Sequence, residues 1–460
     1  MSRRIDHPSG TATLDATLPE VAEAFAGAGF GHTEVYVKQG RSRRLAVGAD
    51  GRAAGFHHER GWAVRASTER ASLFATGSGE PNAGGPWPQP DGRPLTLPAP
   101  DAAGAAAPWN EPPDLDAPLV GETEGLRLLA AVADALAAEV PRARLLSAVL
   151  EDGSSESQLL SRRHGGPGVT ARWRRRVAVL HAAAAVGPVR ASLELAEREA
   201  RAFTPAVLAH RLADRLAAAG AGVPAGFTGR DRGAYLLAPP LAARLLTALS
   251  PLFVGAAAAE RAAALADRRG RWAGEAVTVV DDGRHPGGAL AAPCDGEGLP
   301  TRRVVLVEAG AYRQPLIPWF AARRRDGRAA VAGRPSGCAQ RPGWRDPPRP
   351  GASHLYLAAD AAVAASALLA DLARGYYLLE ATGAPRVDWA AATFRVPVCG
   401  FAVERGRAQG AVSDVWLCGG VGALLRGVQA VARDLELFPY DGMVGAPTVL
   451  VTGVELRGSG

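Results

Sequence analysis

The sequence contains very little lysine: Lys38 is the single lysine among 52 basic residues in a chain of 460. A phosphate-binding loop of the G-x-x-x-x-G-K-[ST] type needs a lysine at a fixed place, and Lys38 lies in no such context. The G-x-S-x-G nucleophile elbow is also absent, as is a G-x-G-x-x-G turn between a strand and a helix. These absences exclude a P-loop and leave no motif of an α/β-hydrolase or a dinucleotide-binding protein.

Cysteine and histidine are scarce as well. Four cysteines stand at positions 294, 338, 399 and 418 without C-x-x-C spacing, so neither a zinc ribbon nor a redox dithiol is indicated. Sparse cysteines without a pattern predict a reducing, cytoplasmic location. Of nine histidines only His58 precedes a glutamate, and no second ligand follows on the same face. We predict that His58-Glu59 lies in a surface turn between two strands.

The chain also lacks long apolar runs. No stretch of about 18 apolar residues is free of charges and of Gly or Pro breaks, so no membrane span is expected. The N-terminal arginines are followed by no apolar segment, which excludes a signal peptide there. The net charge of +6 is small for this length. The arginine-rich run 172–176 could contact nucleic acid, but an exposed strand or loop face of solvated arginines is favoured, and no nucleic-acid partner is predicted.

The residues that are present predict an α+β fold with two domains. Residues 1–220 are expected to form an N-terminal α/β domain with an antiparallel meander sheet, interrupted by a Pro/Gly-rich loop at 77–121. Its predicted strands are 33–37, 43–47, 61–67, 145–151, 157–161, 169–176 and 177–183. Its predicted helices are 18–30, 122–139 and 205–219, the last with Thr204 as N-cap.

Residues 221–460 are expected to form a C-terminal strand-rich domain, because the pattern breaks at 220–233 with a Gly- and Pro-containing segment. Helices are predicted at 241–249, 256–268 and 420–434. Strands are predicted at 234–237, 277–280, 304–308, 354–357, 375–381, 392–396, 400–404, 407–412 and 448–455. No βαβ alternation indicates a Rossmann sheet.

The densest acidic group lies in the segment 277–310, which contains Asp281, Asp282, Asp295 and Glu297. These carboxylates could hold a hard cation such as Ca²⁺ or Mg²⁺. The glycines around them favour a second interpretation, in which the carboxylates form turns and accept hydrogen bonds from backbone N–H groups. No nucleophile and base accompany them, so an independent hydrolase that uses Asp281, Asp282 or Glu297 ranks last among the possible functions.

The same segment resembles the signature of the TldD/PmbA (TldE) family of peptidases. The resemblance rests on a strand that ends in an Asp pair, a Pro-Gly turn, a D-x-E-G-x-P-T-R-R element and a second strand. It extends over roughly residues 20–460, including Thr33–Val37, Gly61–Arg65 and the helix that begins at the Pro239-Pro240 pair. The signature residues that the resemblance marks as structural or cavity-forming are Asp281, Asp282, Pro286, Gly287, Asp295, Glu297, Gly298, Pro300, Thr301 and Arg302.

The resemblance also implies a role. Catalytic members of the family look like zinc peptidases with an H-E-x-x-x-H helix and a cysteine near the C-terminus. Here the matching residues 255–262 offer Glu260 and no histidine, and residues 441–447 contain no cysteine. The chain therefore resembles the TldE/PmbA-type subunit, for which we expect no catalytic residue, no metal and no cofactor of its own.

The resemblance further implies a partner. We expect a heterodimer with a TldD-like catalytic subunit that holds zinc and degrades or matures unfolded peptides, with leader-peptide removal as one such maturation. A peptide would bind as an added strand, through main-chain hydrogen bonds. The alternative is a stand-alone peptide-binding or scaffold protein that forms a homodimer.

Overall fold

The computed structural model describes residues 14–49, 51–84, 87–90, 92, 95, 97–98, 109, 111–166, 168–220, 229–255, 257–322 and 335–458. The fold is α+β and strand-rich, and most strand pairs are antiparallel. The helices among these residues are α1 (Leu14–Gly27), α2 (Glu122–Glu139), α3 (Pro205–Ala219), α4 (Pro239–Ala248), α5 (Ala258–Ala263), α6 (Trp319–Ala322), α7 (Ala365–Ala370) and α8 (Val421–Arg426).

A six-stranded sheet is the centre of the first half of the chain. Its strands are β1 (His32–Gly48), β2 (Gly51–Ser67), β3 (Ser72–Ser78), β4 (Arg144–Arg163), β5 (Gly168–Val186) and β6 (Val189–Glu197). Their order is β3-β2-β1-β4-β5-β6, so two antiparallel meanders pair through β1 and β4. The predicted meander is therefore present, but in two parts joined at the middle of the sheet.

The strands of this sheet are longer than their apolar stretches. The predicted strands 33–37 and 43–47 are one strand, β1, and the predicted pairs 145–151/157–161 and 169–176/177–183 are likewise single strands, β4 and β5. The predictions were wrong because polar residues between the apolar stretches continue the hydrogen-bond ladder. His58-Glu59 lies within β2 and not in a turn, for the same reason.

The two faces of this six-stranded sheet, which we call the first sheet, have different cover. Successive side chains of a strand point to opposite faces. On one face, Val35 and Val37 of β1 pack against α1, and Leu45 packs with α2. We call this the helix face. On the other face, Tyr36 and Ala63 pack against Trp344 from the second half of the chain. We call this the inner face.

Three further sheets occupy the described residues from 229 onward. A six-stranded sheet has the order β11-β10-β9-β14-β21-β20, a nine-stranded sheet runs from β19 to β7 with β16 beside β17, and β12 pairs with β13. Their bounds are β7 (Arg230–Asp231), β8 (Ala234–Leu237), β9 (Val279–Asp282), β10 (Arg303–Glu308), β11 (Ala311–Tyr312), β12 (Ala339–Gln340), β13 (Arg349–Pro350), β14 (His354–Leu357), β15 (Arg374–Ala381), β16 (Arg386–Asp388), β17 (Thr393–Glu404), β18 (Arg407–Gly420), β19 (Val428–Val431), β20 (Glu436–Phe438), β21 (Met443–Ala446), β22 (Val449–Val451) and β23 (Glu455–Gly458).

Several predicted elements of this half are shorter or split. The predicted helix 420–434 ends after Arg426, and β19 follows. Gly427 separates them, because a Cβ there would lie 2.0 Å from the Thr452 carbonyl oxygen. The predicted helix 256–268 is reduced to α5, although its first position, 256, lies outside the described residues. The predicted last strand is divided by Gly453, which has a φ of 75°.

Helix α3 joins the two halves. Leu208, Leu212 and Leu216 pack into the helix-face core of the first sheet. From the same helix, Arg215 forms a largely buried ion pair of 2.9 Å with Glu380 of β15. Thr204 stands at the predicted N-cap position, but its side chain makes no capping hydrogen bond. None of the described helices combines the length and the apolarity that crossing a bilayer requires.

Candidate functional site

The acidic residues of the signature are buried, and their oxygens accept backbone hydrogen bonds. Strand β9 ends in Asp281 and Asp282. One Asp281 oxygen accepts from the N–H groups of Ser353 and His354, at 2.8 and 3.0 Å. Asp282 accepts from the N–H of Arg284 at 2.9 Å. Burial raises the pKa of Asp281 to about 7, although both N–H donors oppose this shift. The two carboxylates thus tie β9 to β14 and to the following turn.

Asp295 and Glu297 have the same kind of environment. Asp295 accepts from the N–H groups of Glu297 and Leu299 with one oxygen, and from Ala339 at 3.0 Å with the other. Glu297 accepts from the N–H of Trp319 at 3.0 Å. Burial raises the pKa of both carboxyl groups. This arrangement fits the second interpretation of the acidic group, in which the carboxylates accept hydrogen bonds from backbone N–H groups.

The other signature residues shape the loop or lie on its surface. Gly298 has a φ of 79°, a conformation that favours glycine. Thr301 is buried and donates to the Ala292 carbonyl. Pro300 is half-buried, while Pro286, Gly287 and Arg302 are exposed. The exposed Arg302 donates to the Pro335 carbonyl at 2.7 Å.

A buried ionic cluster links the signature to the first sheet. Glu34 of β1 and Arg65 of β2 are register partners, and the guanidinium binds the carboxylate with two hydrogen bonds of 2.9 and 2.5 Å. Arg341 binds the same carboxylate at 2.6 Å, and Glu297 lies 3.5 Å from Arg65. The side chains of all four residues are at most 5% exposed. We call these four residues the ionic cluster.

The electrostatics of the ionic cluster differ between its two acids. Burial opposes the ionisation of Glu34, but the charges of Arg65 and Arg341 outweigh it and lower the pKa of Glu34 to about 2. Burial dominates at Glu297 and raises its pKa, because Arg65 is more distant from it than from Glu34. Glu34 is therefore the acid whose negative charge balances the guanidinium groups of the ionic cluster.

Next to the ionic cluster lies a cavity of about 510 Å³ between the inner face of the first sheet and the second half of the chain. Segments around Gln340, Pro350 and Tyr440 form its other walls. Leu290 and Gly296 of the signature segment line it, but none of the ten signature residues named above does. Trp344 packs beside it, directly over Gly61, where a Cβ would lie 2.2 Å from the indole. The signature residues thus lie behind the cavity wall and support it, without lining the cavity themselves.

The register of the first sheet determines which side chains reach the cavity. Gly40 pairs with Glu59 and Ser155, and Ser155 pairs with Arg175, so these four form one row across the inner face. The adjacent row contains Lys38, Ser157 and Trp173. These two rows are therefore mostly polar, and they contribute the Trp173 ring and the basic side chains of Lys38 and Arg175 to the cavity floor.

The arginine run 172–176 is divided between the two faces of β5. On the helix face, Arg172 pairs with Glu156 at 2.8 Å, Arg174 with Asp116 at 2.5 Å, and Arg176 with Asp152 at 3.2 Å. Arg175 lines the cavity on the inner face. The favoured interpretation, a face of solvated arginines, needs correction: the run is a strand, but its helix-face arginines are paired and Arg176 is buried.

Comparison with known proteins places this architecture. Residues 231–458 match the PmbA/TldA metallopeptidase C-terminal domain. The chain belongs to the PmbA/TldD family. No curated protein matches the chain. PmbA/TldD membership confirms the resemblance that the signature predicted.

Solved structures share the fold of this PmbA/TldD chain along almost its whole length. TldE from Thermococcus kodakarensis has a TM-score of 0.81 at 18% identity, covering 96% of this chain and 100% of that one. A Thermotoga maritima protein described as a candidate modulator of a DNA gyrase has a TM-score of 0.74 at 16% identity, covering 97% and 100%. A similarly described Bacteroides thetaiotaomicron protein has 0.73 at 14%, covering 97% and 99%. At these identities the likeness establishes the fold alone.

The described residues offer no set of side chains that fits zinc, the metal that the PmbA/TldD resemblance implies. No group of three His, Cys, Asp or Glu side chains in the described ranges could hold a metal ion. His285 and His354 are neighbours, with ring centroids 5.5 Å apart. However, His354 donates through Nδ1 to the Asp282 carbonyl at 2.7 Å and accepts from the Leu290 N–H through Nε2, at 3.3 Å. His285 is therefore a single imidazole without a second one free beside it.

Sequence reasoning missed the residues that connect the two halves. Glu34 and Arg65 lie inside two of the segments that carry the family resemblance, 33–37 and 61–65. The alternation of side chains along both strands could have placed them on one face of the sheet. Arg341 had no local signal, since it is 307 residues from Glu34. Trp344 is recognisable only by the space above Gly61.

Proposed function

We propose that this chain is the non-catalytic, TldE/PmbA-type subunit of a heterodimeric zinc metallopeptidase that degrades or matures unfolded peptides. The observation that carries the proposal is α5. At the place where the resemblance implies a zinc helix, α5 has six residues, contains the exposed Glu260 and has no histidine. Two ligands one helical turn apart are the minimum for such a zinc site, so the metal is assigned to the partner.

The state of the signature supports the same assignment. Its buried carboxylates accept backbone hydrogen bonds, which leaves them to hold the loop and not to activate a water molecule. The signature loop packs Ala292 and Cys294 onto the inner face beside Tyr36 and Trp173. We therefore assign the signature residues a structural role beside the cavity, and no catalytic role.

A free strand edge supports the binding of an unfolded peptide. Within the described residues, 51–59 of β2 pair with β1 alone, because β3 begins to pair at Gly61 and the Gly79 N–H donates to the Arg60 carbonyl. Residues 51–58 are all exposed. An extended segment could add to this edge through main-chain hydrogen bonds. Either the peptide substrate or a strand of the TldD-like subunit would satisfy the unpaired groups.

The proposal includes the organisation and location of the chain. We propose domains at 1–220 and 221–460, and a cytoplasmic location, which fits the free thiols of Cys294, Cys338, Cys399 and Cys418. No nucleic-acid or membrane partner is assigned.

The test compares the isolated chain with the chain co-expressed with a TldD-like protein that carries H-E-x-x-x-H. We expect the isolated chain to contain no stoichiometric zinc by elemental analysis and to cleave no unfolded peptide. The co-purified pair should contain zinc and cleave, and native mass spectrometry should show one copy of each. Stoichiometric zinc with peptidase activity in the isolated chain contradicts the proposal. A stable homodimer that ignores the TldD-like protein favours the scaffold alternative.

A further inference from the structure

Arg175 is a half-buried cation without a partner in the described part of the chain. It lines the cavity, yet it makes no ion pair and no hydrogen bond with any described residue, and its Nε is buried. Burial lowers the pKa of Arg175. Buried charges in proteins are almost always paired, because removing a charge from water is costly. The described residues therefore provide a cation without a matching anion.

The groups near Arg175 cannot serve as that anion. Those whose charge would act on it are Tyr36, Cys294 and Asp295. The Tyr36 hydroxyl is within 2.9 Å of Ser157 Oγ, and burial raises its pKa. Burial also raises the pKa of Cys294. Both Asp295 oxygens already accept backbone N–H groups. The guanidinium therefore remains available to a ligand.

A second guanidinium on the same cavity has unused donors. Arg341 binds Glu34 through Nη2 and lies over the Tyr36 ring, 4.3 Å from its centroid. Its Nε and Nη1 are buried and have no hydrogen-bond partner. Of the other cations of the wall, Lys38 lies 3.9 Å from Glu59 and Arg349 lies 4.0 Å from Asp441. Arg41 donates to the Ser154 hydroxyl at 3.0 Å in an exposed contact. Among these cations, Arg175 and Arg341 have buried guanidinium nitrogen atoms without a hydrogen-bond partner.

We propose that the cavity binds a peptide through a carboxylate that the Arg175 guanidinium receives, with Arg341 as the second donor group. The planar fork of a guanidinium matches the two oxygens of a carboxylate. Trp173 and the serine rows offer contacts to the rest of the peptide, and about 510 Å³ suits a short segment and excludes a folded domain. This inference rests on the proposed function for the assignment of a peptide.

The carboxylate has two sources, an acidic side chain or the C-terminus of the peptide. Isothermal titration calorimetry on the full-length chain at low salt distinguishes them with three hexapeptides. The first is acetylated and amidated with one internal glutamate, the second has glutamine in its place, and the third is the glutamine peptide with a free C-terminal carboxylate. We expect the first or the third to bind at least tenfold more tightly than the second, which has no carboxylate.

Variants of β5 assign the effect to Arg175. Arg175→Gln should weaken the binding of the preferred peptide at least tenfold. The variant should then bind this peptide no more tightly than the carboxylate-free peptide. Arg172→Gln is the matched control, because it lies on the helix face of the same strand in an exposed pair with Glu156, and binding should be unchanged. Arg175→Lys keeps the charge without the fork and should weaken binding several-fold. Circular dichroism and thermal unfolding check each fold, and Arg175→Lys decides the test if Arg175→Gln does not fold.

The inference is overturned if all three peptides bind equally, or if none binds up to millimolar concentration. It is also overturned if Arg175→Gln binds the preferred peptide with unchanged affinity. A fourth contrary outcome is that inorganic phosphate displaces the bound peptide at a concentration below that of the peptide. Failure of the proposed function is a separate result. If the chain does not bind a TldD-like protein but binds the peptides through Arg175, the proposed function fails and the inference stands. If the pair cleaves peptides and Arg175→Gln binds the peptides normally, only the inference fails.

Discussion

The ionic cluster and Arg175 occupy the same inner face of the first sheet, yet their charges are in opposite states. Glu34 and Arg65 are register partners that the second half covers with Arg341 and Glu297. Arg175 lies on β5, where the second half leaves a cavity, and no described carboxylate forms an ion pair with it. The difference teaches that charged groups on one sheet face can have two uses. Charges that have all their partners within the chain hold two parts of it together, and a charge without such a partner is available to bind a ligand.

The energetic consequences of these two states are opposite. Removing one member of a buried ion pair leaves an uncompensated charge and costs about 3–5 kcal/mol. Removing a buried charge that has no partner relieves a desolvation penalty instead. Substitutions at the two places should therefore change the stability in opposite directions, even though both remove an arginine from one sheet face.

The largest effect is expected for Arg65→Met. The substitution leaves Glu34 with Arg341 alone and Glu297 without a nearby guanidinium, so unfolding free energy should fall by about 3–5 kcal/mol. The thermal midpoint should fall by roughly 6–20 °C. The control Arg172→Met removes a pair whose arginine side chain is 49% exposed and should change stability by about 0.5 kcal/mol or less. Equal midpoints for the two variants would contradict the distinction.

A smaller, pH-dependent effect is expected for Glu34→Gln. The pKa of Glu34 is lowered from 4.5 to about 2, so its ionised form contributes about 3 kcal/mol. This contribution is complete above pH 4.5 and is lost as the pH falls toward 2. The gap between the thermal midpoints of wild type and Glu34→Gln should thus be widest at pH 7 and narrow by pH 2.5.

The control for this pH dependence is Glu151→Gln. Glu151 lies on β4 of the same sheet and pairs with Arg44 at 2.9 Å, but both side chains are more than half exposed. Its substitution should change the midpoint by a similar small amount at both pH values. A gap for Glu34→Gln that is constant from pH 7 to pH 2.5 would refute the role of Glu34 as the balancing charge.

The smallest effect, and one of opposite sign, is expected for Arg175→Met. In the unliganded chain an apolar side chain of similar length removes a half-buried charge without a described partner and can pack beside Trp173. The unfolding free energy should stay equal or rise by about 1 kcal/mol, which is roughly 2–4 °C in the midpoint. Differential scanning calorimetry of the peptide-free chain measures this directly. If the midpoint fell as far as it does in Arg65→Met, Arg175 would have a partner within the chain. The two arginines would then not differ in the way described above.

Local pattern was sufficient for part of the fold. Residues 122–139 and 205–219 were predicted as helices with the observed bounds, since each has an apolar stripe at helical spacing. Strand lengths were underestimated wherever the polar stretch of a strand faces the cavity or solvent, as in β1 and β4. The region after Arg426 was predicted as helix because its strand, β19, is set by pairing with β22 and not by its own composition.

The candidate site divides in the same way. The signature and its acidic residues were visible in the chain, because a turn motif is a local arrangement of Asp, Gly and Pro. The cavity was not visible, because its walls come from strands and loops that meet only after folding. Arg175 stood in an arginine run whose members looked equivalent, and only the alternation of β5 divided them between a paired face and an open one.

The sequence by itself determined the PmbA/TldD membership, the α+β class and the absence of histidine from residues 255–262, where the resemblance implies a zinc helix. These properties depend on residue identity and on short periodic patterns, which survive without coordinates. The tertiary structure alone decided that Glu34, Arg65, Glu297 and Arg341 form one cluster and that Arg175 has no partner among the described residues. Coulomb and hydrogen-bond energies depend on distances of a few ångströms between distant segments, and those distances are set by packing.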